Sequence, residues 1–335
     1  MSRSLGRMSA DAAQQRTIPA AASDAAPASA EGDFRSYYGR RVLKEPVWEW
    51  LVPAYLFTGG LSAACAELAA GADLTRRPRL RKATRLGALG GLGASTYLLI
   101  ADLGRPERFH HMLRVAKPSS PMSVGTWLLV AYGPGVGAAA VAELLPSRLR
   151  RTWLGKLLGA LARPAGLASA ALAPGVASYT AVLLSHTAVP AWNEARDRLP
   201  FVFAGSAAAA GGGFGMVCAP VDEAEPARKL AAVGAVTELV TSRQLDERLG
   251  IVSEAYRTGT AHRLRQWSEY LTAGGALGSL LAGRSRAAGV VSGLALLAGS
   301  ALQRFGIFEA GVESTRDPKY VVVPQRRRVD RGEQA

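Results

Sequence analysis

Cysteine is almost absent: the chain has two, Cys65 and Cys218, each inside an apolar block. Two thiols cannot supply a four-cysteine iron–sulfur cluster or a structural zinc site, so neither is expected in this chain. A disulfide between them stays open, although two small apolar side chains within helices is the better reading. Histidine is equally scarce, and His110, His111, His186 and His262 all fall in loops or at a helix end. A membrane b-type haem needs axial histidines facing each other inside a bundle, so no haem is expected. Aromatic residues make up only 7% of the chain. None interleaves with the basic runs Arg76-Arg77-Pro78-Arg79-Leu80-Arg81-Lys82 and Arg148-Leu149-Arg150-Arg151. A stacking platform for nucleic acid is therefore missing. The formal charge of +14 reads instead as basic loops that meet anionic headgroups.

What the chain does have is apolar sequence gathered into long blocks of Ala, Gly, Leu and Val, separated by short segments dense in Arg and Pro. A helix crosses a bilayer core with about 20 mainly apolar residues. The pattern predicts an all-α integral membrane protein of about eight transmembrane helices, in the plasma membrane. The spans are expected near Trp48–Gly71, Ala83–Ala101, Met122–Leu145, Leu157–Ser185, Phe201–Ala219, Ala227–Leu245, Tyr270–Ala282 and Ala287–Phe308. The sixth is weaker because it holds Glu238 and Arg243, and the seventh is short, so that seven spans are also defensible. Residues 1–36 read as a disordered tail, 37–310 as the membrane domain, and 311–335 as a basic C-terminal tail. Arg40-Arg41 before an apolar stretch imitates a twin-arginine signal, but the stretch is too long and leads into further helices. No internal repeat is evident.

An even number of spans puts both tails on one side, face A. The short loops of the opposite side, face B, have the higher basic density, which favours face B in the cytoplasm. Ionisable residues in membranes are costly, and most of the informative ones converge on face A. Tyr97 and Asp102 close span two; Tyr179 and His186 close span four; Tyr55 stands in span one beside Gly59 and Gly60. A quinone asks for an apolar slot and one or two donors to its carbonyl oxygens, with protons supplied on reduction. Tyr55, Tyr97, Asp102, Tyr179 and His186 have that chemistry. Glu238 lies roughly 18 Å of helix from the face-B end of its span and is a proton-path candidate. Trp48, Trp50 and Trp127 read as headgroup anchors.

Particular runs resemble the NrfD family, the polysulfide-reductase-type membrane subunits of molybdopterin oxidoreductase complexes. They are Tyr37-Tyr38-Gly39-Arg40, Lys44-Glu45-Pro46-Val47-Trp48, Pro53-Ala54-Tyr55-Leu56-Phe57-Thr58-Gly59-Gly60, and Asp102-Leu103-Gly104-Arg105-Pro106. Ser120-Pro121-Met122-Ser123-Val124-Gly125-Thr126-Trp127, Tyr179-Thr180-Ala181-Val182-Leu183-Leu184 and Leu199-Pro200-Phe201-Val202-Phe203-Ala204-Gly205-Ser206 also fit. The resemblance implies two four-helix bundles without a prosthetic group of their own, binding menaquinone or ubiquinone where an iron–sulfur subunit docks. That subunit relays electrons to or from a molybdopterin catalytic subunit, as in formate dehydrogenase- or polysulfide reductase-like complexes. By this likeness Asp102 and Arg105 belong to the quinone pocket or the partner interface; residue chemistry adds Tyr55, Gly59, Tyr97, Tyr179 and His186 to the expected quinone site, and His110 and His111 to the expected partner contact. The alternative is a small-solute or ion transporter that uses Glu238 and Arg243 as intramembrane coupling groups.

Overall fold

A computed structural model describes residues 42–330 and Gly332. The Tyr37-Tyr38-Gly39-Arg40 run, the twin-arginine pair and residues 1–36 lie outside the described residues. The chain begins with α1 (Leu51–Leu74), α2 (Pro78–Ala101) and a 3-10 helix (Pro106–Leu113). It continues through α3 (Pro121–Leu144), a single turn α4 (Ser147–Arg150), α5 (Trp153–Ser185), another short α6 (Pro190–Glu194) and α7 (Leu199–Cys218). Then come α8 (Glu225–Arg248), the turn α9 (Ser253–Tyr256), α10 (Gly259–Leu281), α11 (Arg286–Arg316) and α12 (Lys319–Asp330). No strand occurs among the described residues.

Local chemistry explains the helix starts. Proline occupies the first or second position of α2, α3, α6, α7 and α8, where a missing N–H costs nothing. Ser120, Thr152 and Ser285 cap α3, α5 and α11 with side-chain oxygens that accept from the backbone N–H three residues on. Other ends are capped from distant parts of the chain. Glu223 accepts from the N–H groups of Arg79 and Leu80 at 2.7 and 3.0 Å, at the start of α2. The Arg286 guanidinium donates to the Met216, Val217 and Ala219 carbonyls at the end of α7. Pro134, Pro164 and Pro174 sit inside α3 and α5, a position that packed membrane helices tolerate.

Consecutive long helices form the tightest neighbours: α1 with α2, α3 with α5, α7 with α8, and α10 with α11. Helix α7 also packs on α1, α5 and α11, so α1 and α7 meet at the centre. Two of the three apolar clusters are built largely of alanine, among them Ala63, Ala64, Ala66, Ala209, Ala227 and Ala231. Small side chains let backbones approach where lipid offers no hydrophobic drive between helices. The third cluster is larger in residue size, with Trp192, Phe203, Tyr256 and Phe308 gathered near the connections after α5 and α8.

Among the described residues, five helices are long and apolar enough to cross a membrane, namely α1, α3, α5, α7 and α11. A sixth qualifies if α2 and the following 3-10 helix, bent by 106°, count as one span. Helices α8 and α10 have the length but not the composition. The expected seventh span is longer than its apolar core, because α10 begins at Gly259, well before Trp267. The expected end of span eight is also passed: α11 continues to Arg316, and α12 follows within the stretch read as a tail. Lys319 pairs with Glu254 at 2.8 Å and Arg328 with Glu194 at 3.2 Å, which fastens α12 across the preceding connections. Trp48 is not a free headgroup anchor. It stacks on the fully buried Trp192 at 5.8 Å, whereas Trp50 and Trp127 are exposed.

Candidate functional site

Tyr55 lies on the buried face of α1, and its hydroxyl is in direct hydrogen-bond contact with the hydroxyl of Tyr179 on α5. Tyr55 is packed in the apolar cluster of Trp192 and Phe203, while Tyr179 is only half-buried at its edge. A bond between two phenols uses one hydroxyl hydrogen and leaves the other free for an outside acceptor. Gly125, in the Ser-Pro-Met-Ser-x-Gly-x-Trp run of α3, gives the Tyr179 ring its place; a Cβ there would overlap the ring. Gly59 follows Tyr55 by one turn, and a Cβ on it would come 3.1 Å from Ser95 Oγ on α2. Gly60 makes similar room on another side, for Ala207 of α7 and for the Arg304 guanidinium.

Asp102 caps the end of α2 and is half-buried. Burial, with the charge of Glu49 added, raises its carboxyl above the ordinary carboxylate range. Gly104 has φ +65°, the left-handed region that glycine enters at no steric cost. Its turn, with Pro106 opening the next helix, redirects the chain from α2 into the 3-10 helix. Arg105, His110 and His111 are all exposed there, the two imidazoles edge-to-face at 4.4 Å. Of the other expected donors, Tyr97 is 72% exposed and faces away from the buried tyrosine pair. His186 is exposed at the end of α5, with Nδ1 2.9 Å from the Val182 carbonyl oxygen. The structure thus joins Tyr55 with Tyr179, sets Gly59 beside them, and leaves Tyr97 and His186 on the surface.

A second polar region lies among α8, α10 and α11. Glu238 is buried on α8, with Ser268 Oγ 3.5 Å from its Oε1. Arg304 of α11 is fully buried, attracts Glu238 electrostatically, donates to the Phe203 carbonyl at 2.8 Å and stacks on the Phe203 ring. Glu238 Oε2 and Arg304 Nε and Nη1 have no hydrogen-bond partner among the described residues. A cavity of about 460 Å³ reaches from Tyr256 and His262 to Glu238, Ser268 and Gln303. Arg243 lies at its rim, paired with Glu269 at 3.3 Å and largely exposed.

Two buried groups escaped the sequence reading. Arg304 falls near the end of the expected eighth span, Ala287–Phe308, yet it lies in the interior of the 31-residue α11. The signal was an arginine followed by a further apolar turn, Phe305 to Phe308. Tyr132 of α3 is fully buried and bonds Ser62 of α1 at 2.9 Å, a contact that nothing in its apolar surroundings announces.

The chain matches the family model described as polysulphide reductase, NrfD, over residues 41–239. It is also similar to the C subunit of the polysulfide reductase of Wolinella succinogenes, 33% identical over 179 residues. That similarity covers 49% of this protein and 56% of the relative, so the chain spans about half the length of the curated relative it matches. The matched region holds Tyr55, Asp102, Gly125, Tyr179 and Glu238, and stops before α10 and α11. This chain is a multi-pass membrane protein belonging to the NrfD polysulphide reductase family.

Proposed function

We propose that this chain binds quinone or quinol and exchanges electrons with an iron–sulfur subunit, serving a molybdopterin oxidoreductase as its membrane anchor. The observation that carries the reading is the hydroxyl contact of Tyr55 and Tyr179 within the family-matched region. A quinone carbonyl oxygen needs a donor held in an apolar wall, and the pair has one hydroxyl hydrogen to give. Asp102, at the end of the adjoining α2, suits proton exchange with the reduced oxygen, because its carboxyl holds a proton to higher pH than usual. Reduction of quinone to quinol takes up two electrons and two protons; oxidation releases both. Gly59 packs beside the pair on α1, whereas Tyr97 and His186 stand on the surface outside it. Arg105, His110 and His111 offer the partner an exposed cationic and imidazole surface.

In the same reading all eight long helices cross the membrane, as two four-helix bundles formed by α1, α2, α3 and α5 and by α7, α8, α10 and α11. Helices α8 and α10 are more polar than the others because their polar side chains face inward: Glu238, Ser268 and Thr272 are buried. Their outward faces carry Val233, Val236 and Val240 on α8 and Leu277, Leu280 and Leu281 on α10, all exposed. Such faces suit lipid. Ties between loops also agree with eight crossings. Arg77 after α1 meets Glu225 after α7 at 2.6 Å, and Trp48 before α1 meets Trp192 after α5. Both pairs join loops that an eight-span path puts on one side. Glu238, with the cavity below it, is the group suited to move a proton. That cavity also favours a second reading, a solute or ion pathway, although Arg243 is engaged at the surface with Glu269.

The deciding experiment is a gentle-detergent pull-down of the full chain from its native membrane, with iron–sulfur spectroscopy and quinone extraction. An iron–sulfur protein recovered together with quinone supports the reading. A protein recovered alone and free of quinone would overturn it and turn attention to solute flux in liposomes.

A further inference from the structure

At the opposite end of the helices from Asp102, the end of α1, the start of α2, the end of α3 and the start of α5 enclose a polar cavity of about 430 Å³. Four guanidinium groups line it, those of Arg81, Arg85, Arg150 and Arg163, against the two carboxylates of Asp73 and Glu143. The carboxylates are shared. Glu143 Oε1 takes Arg81 at 2.9 Å and Arg85 at 3.0 Å, while Asp73 takes Arg81 and Arg163 at 3.0 Å each. Two positive charges therefore remain unbalanced around the cavity. Asp73, Glu143 and Arg85 are nearly buried, so this network is built into the helix ends rather than scattered over the surface. A guanidinium carries five N–H donors, and the shared carboxylates occupy only some of them.

We propose that this cavity seats the phosphate of an anionic membrane lipid. Guanidinium groups favour phosphate through paired N–H donors, and an anion would complete the charge balance. The position favours a lipid over a free ion. The cavity lies at the level of the helix ends, where Leu154, Leu157 and Leu161 are exposed on another face of the same turns of α5. Those leucines put acyl chains at this depth around α5, while the headgroup meets the arginines. Trp153, 76% exposed at the start of α5, marks the interfacial level. Arg148 and Arg151 in the adjoining turn are also exposed and add to the attraction of an anionic leaflet. The proposal is independent of the quinone reading, since it uses none of the same residues.

The test uses the full chain purified in mild detergent and examined by native mass spectrometry with phosphatidylglycerol or phosphatidylcholine. Retention of phosphatidylglycerol about tenfold above phosphatidylcholine is expected, unchanged by millimolar inorganic phosphate. Arg150→Gln with Arg163→Gln, at the exposed rim, should remove most of that preference while the protein still melts cooperatively in phosphatidylcholine. Equal retention of the two lipids by the unaltered protein would overturn the proposal without any variant. So would displacement of the lipid by inorganic phosphate, which would make the cavity a free-anion site. An unchanged preference in the folded double variant would place lipid binding elsewhere and overturn it too.

Discussion

The hydroxyls of Tyr55 and Tyr179 meet across 124 residues of sequence, joining α1 to α5 at the edge of the largest aromatic cluster. Each phenol fixes the other, so removal of either oxygen changes both the donor geometry and the number of hydrogens on offer. Tyr179→Phe and Tyr55→Phe are each expected to lower quinol turnover by about tenfold, the order of one lost neutral hydrogen bond. The double variant should cost little more than either alone. Turnover with a soluble quinol analogue, in membranes matched for protein content, measures this.

Gly125 tests the same pair without touching a polar atom. A Cβ at that position would enter the Tyr179 ring. Gly125→Val should destabilise the folded protein by about 1–3 kcal/mol through overpacking. Any folded fraction should show a quinone defect like that of Tyr179→Phe. Thermal melting in detergent, followed by turnover below the melting temperature, separates the two effects.

Glu238 and Arg304 supply a sharper stability test, because both are buried. Glu238→Leu removes the carboxylate that attracts the buried arginine and should destabilise the folded protein. Glu238→Gln keeps the shape and should cost less. The double variant Glu238→Leu with Arg304→Met should recover most of the loss, since it removes both charges from the interior. A double-mutant cycle by thermal melting reads the coupling; independent, additive losses would refute it.

Asp102 predicts a pH dependence. Its raised carboxyl means that the folded protein binds the proton more tightly than the unfolded protein does. Asp102 therefore favours the folded state at acid pH, and that contribution is lost as pH rises from the unfolded toward the folded value. If Asp102 hands a proton to quinone, reduction should slow as pH climbs through the same window. Asp102→Asn should lower the rate and flatten that limb. A pH profile of turnover for both proteins measures it.

The exposed 3-10 helix predicts a separable loss. Arg105→Ala with His110→Ala and His111→Ala leaves the buried tyrosine pair intact, since all three side chains are exposed. Recovery of the iron–sulfur partner in a pull-down should fall about tenfold, while binding of a quinone analogue to the isolated protein stays unchanged. Loss of both together would mean that the loop supports the fold rather than the partner.

How much of this was legible from the sequence depends on which face of a helix carried the signal. The long helices were visible because their apolar blocks coincide with proline starts, as at Pro121 and Pro200. The pairing of Tyr55 with Tyr179 was within reach only as a shortlist, because the contact joins distant segments. Tyr97 stood on the same shortlist by chemistry alone; its outward direction is set by how α2 rotates against α1, and periodicity in a Gly-Ala helix is too weak to fix that rotation. The burial of Arg304 is not legible because a charge near the end of an apolar run looks interfacial until the helix is known to continue. Trp48 was misread for a similar reason: its partner Trp192 lies on a distant connection.

Burial of both Glu238 and Arg304 also carries a consequence for biosynthesis. The protein emerges from the ribosome in order, so Glu238 is made well before its counter-charge. If α8 crosses the membrane as proposed, it would hold a lone acid in lipid during that interval, an arrangement that membranes penalise. On that proposal α8 would reach its final depth only after α11 has been made, and the second half of the protein would mature late. Truncation before Arg304 should leave α8 loosely inserted and open to proteolysis, even though every residue of that helix is present.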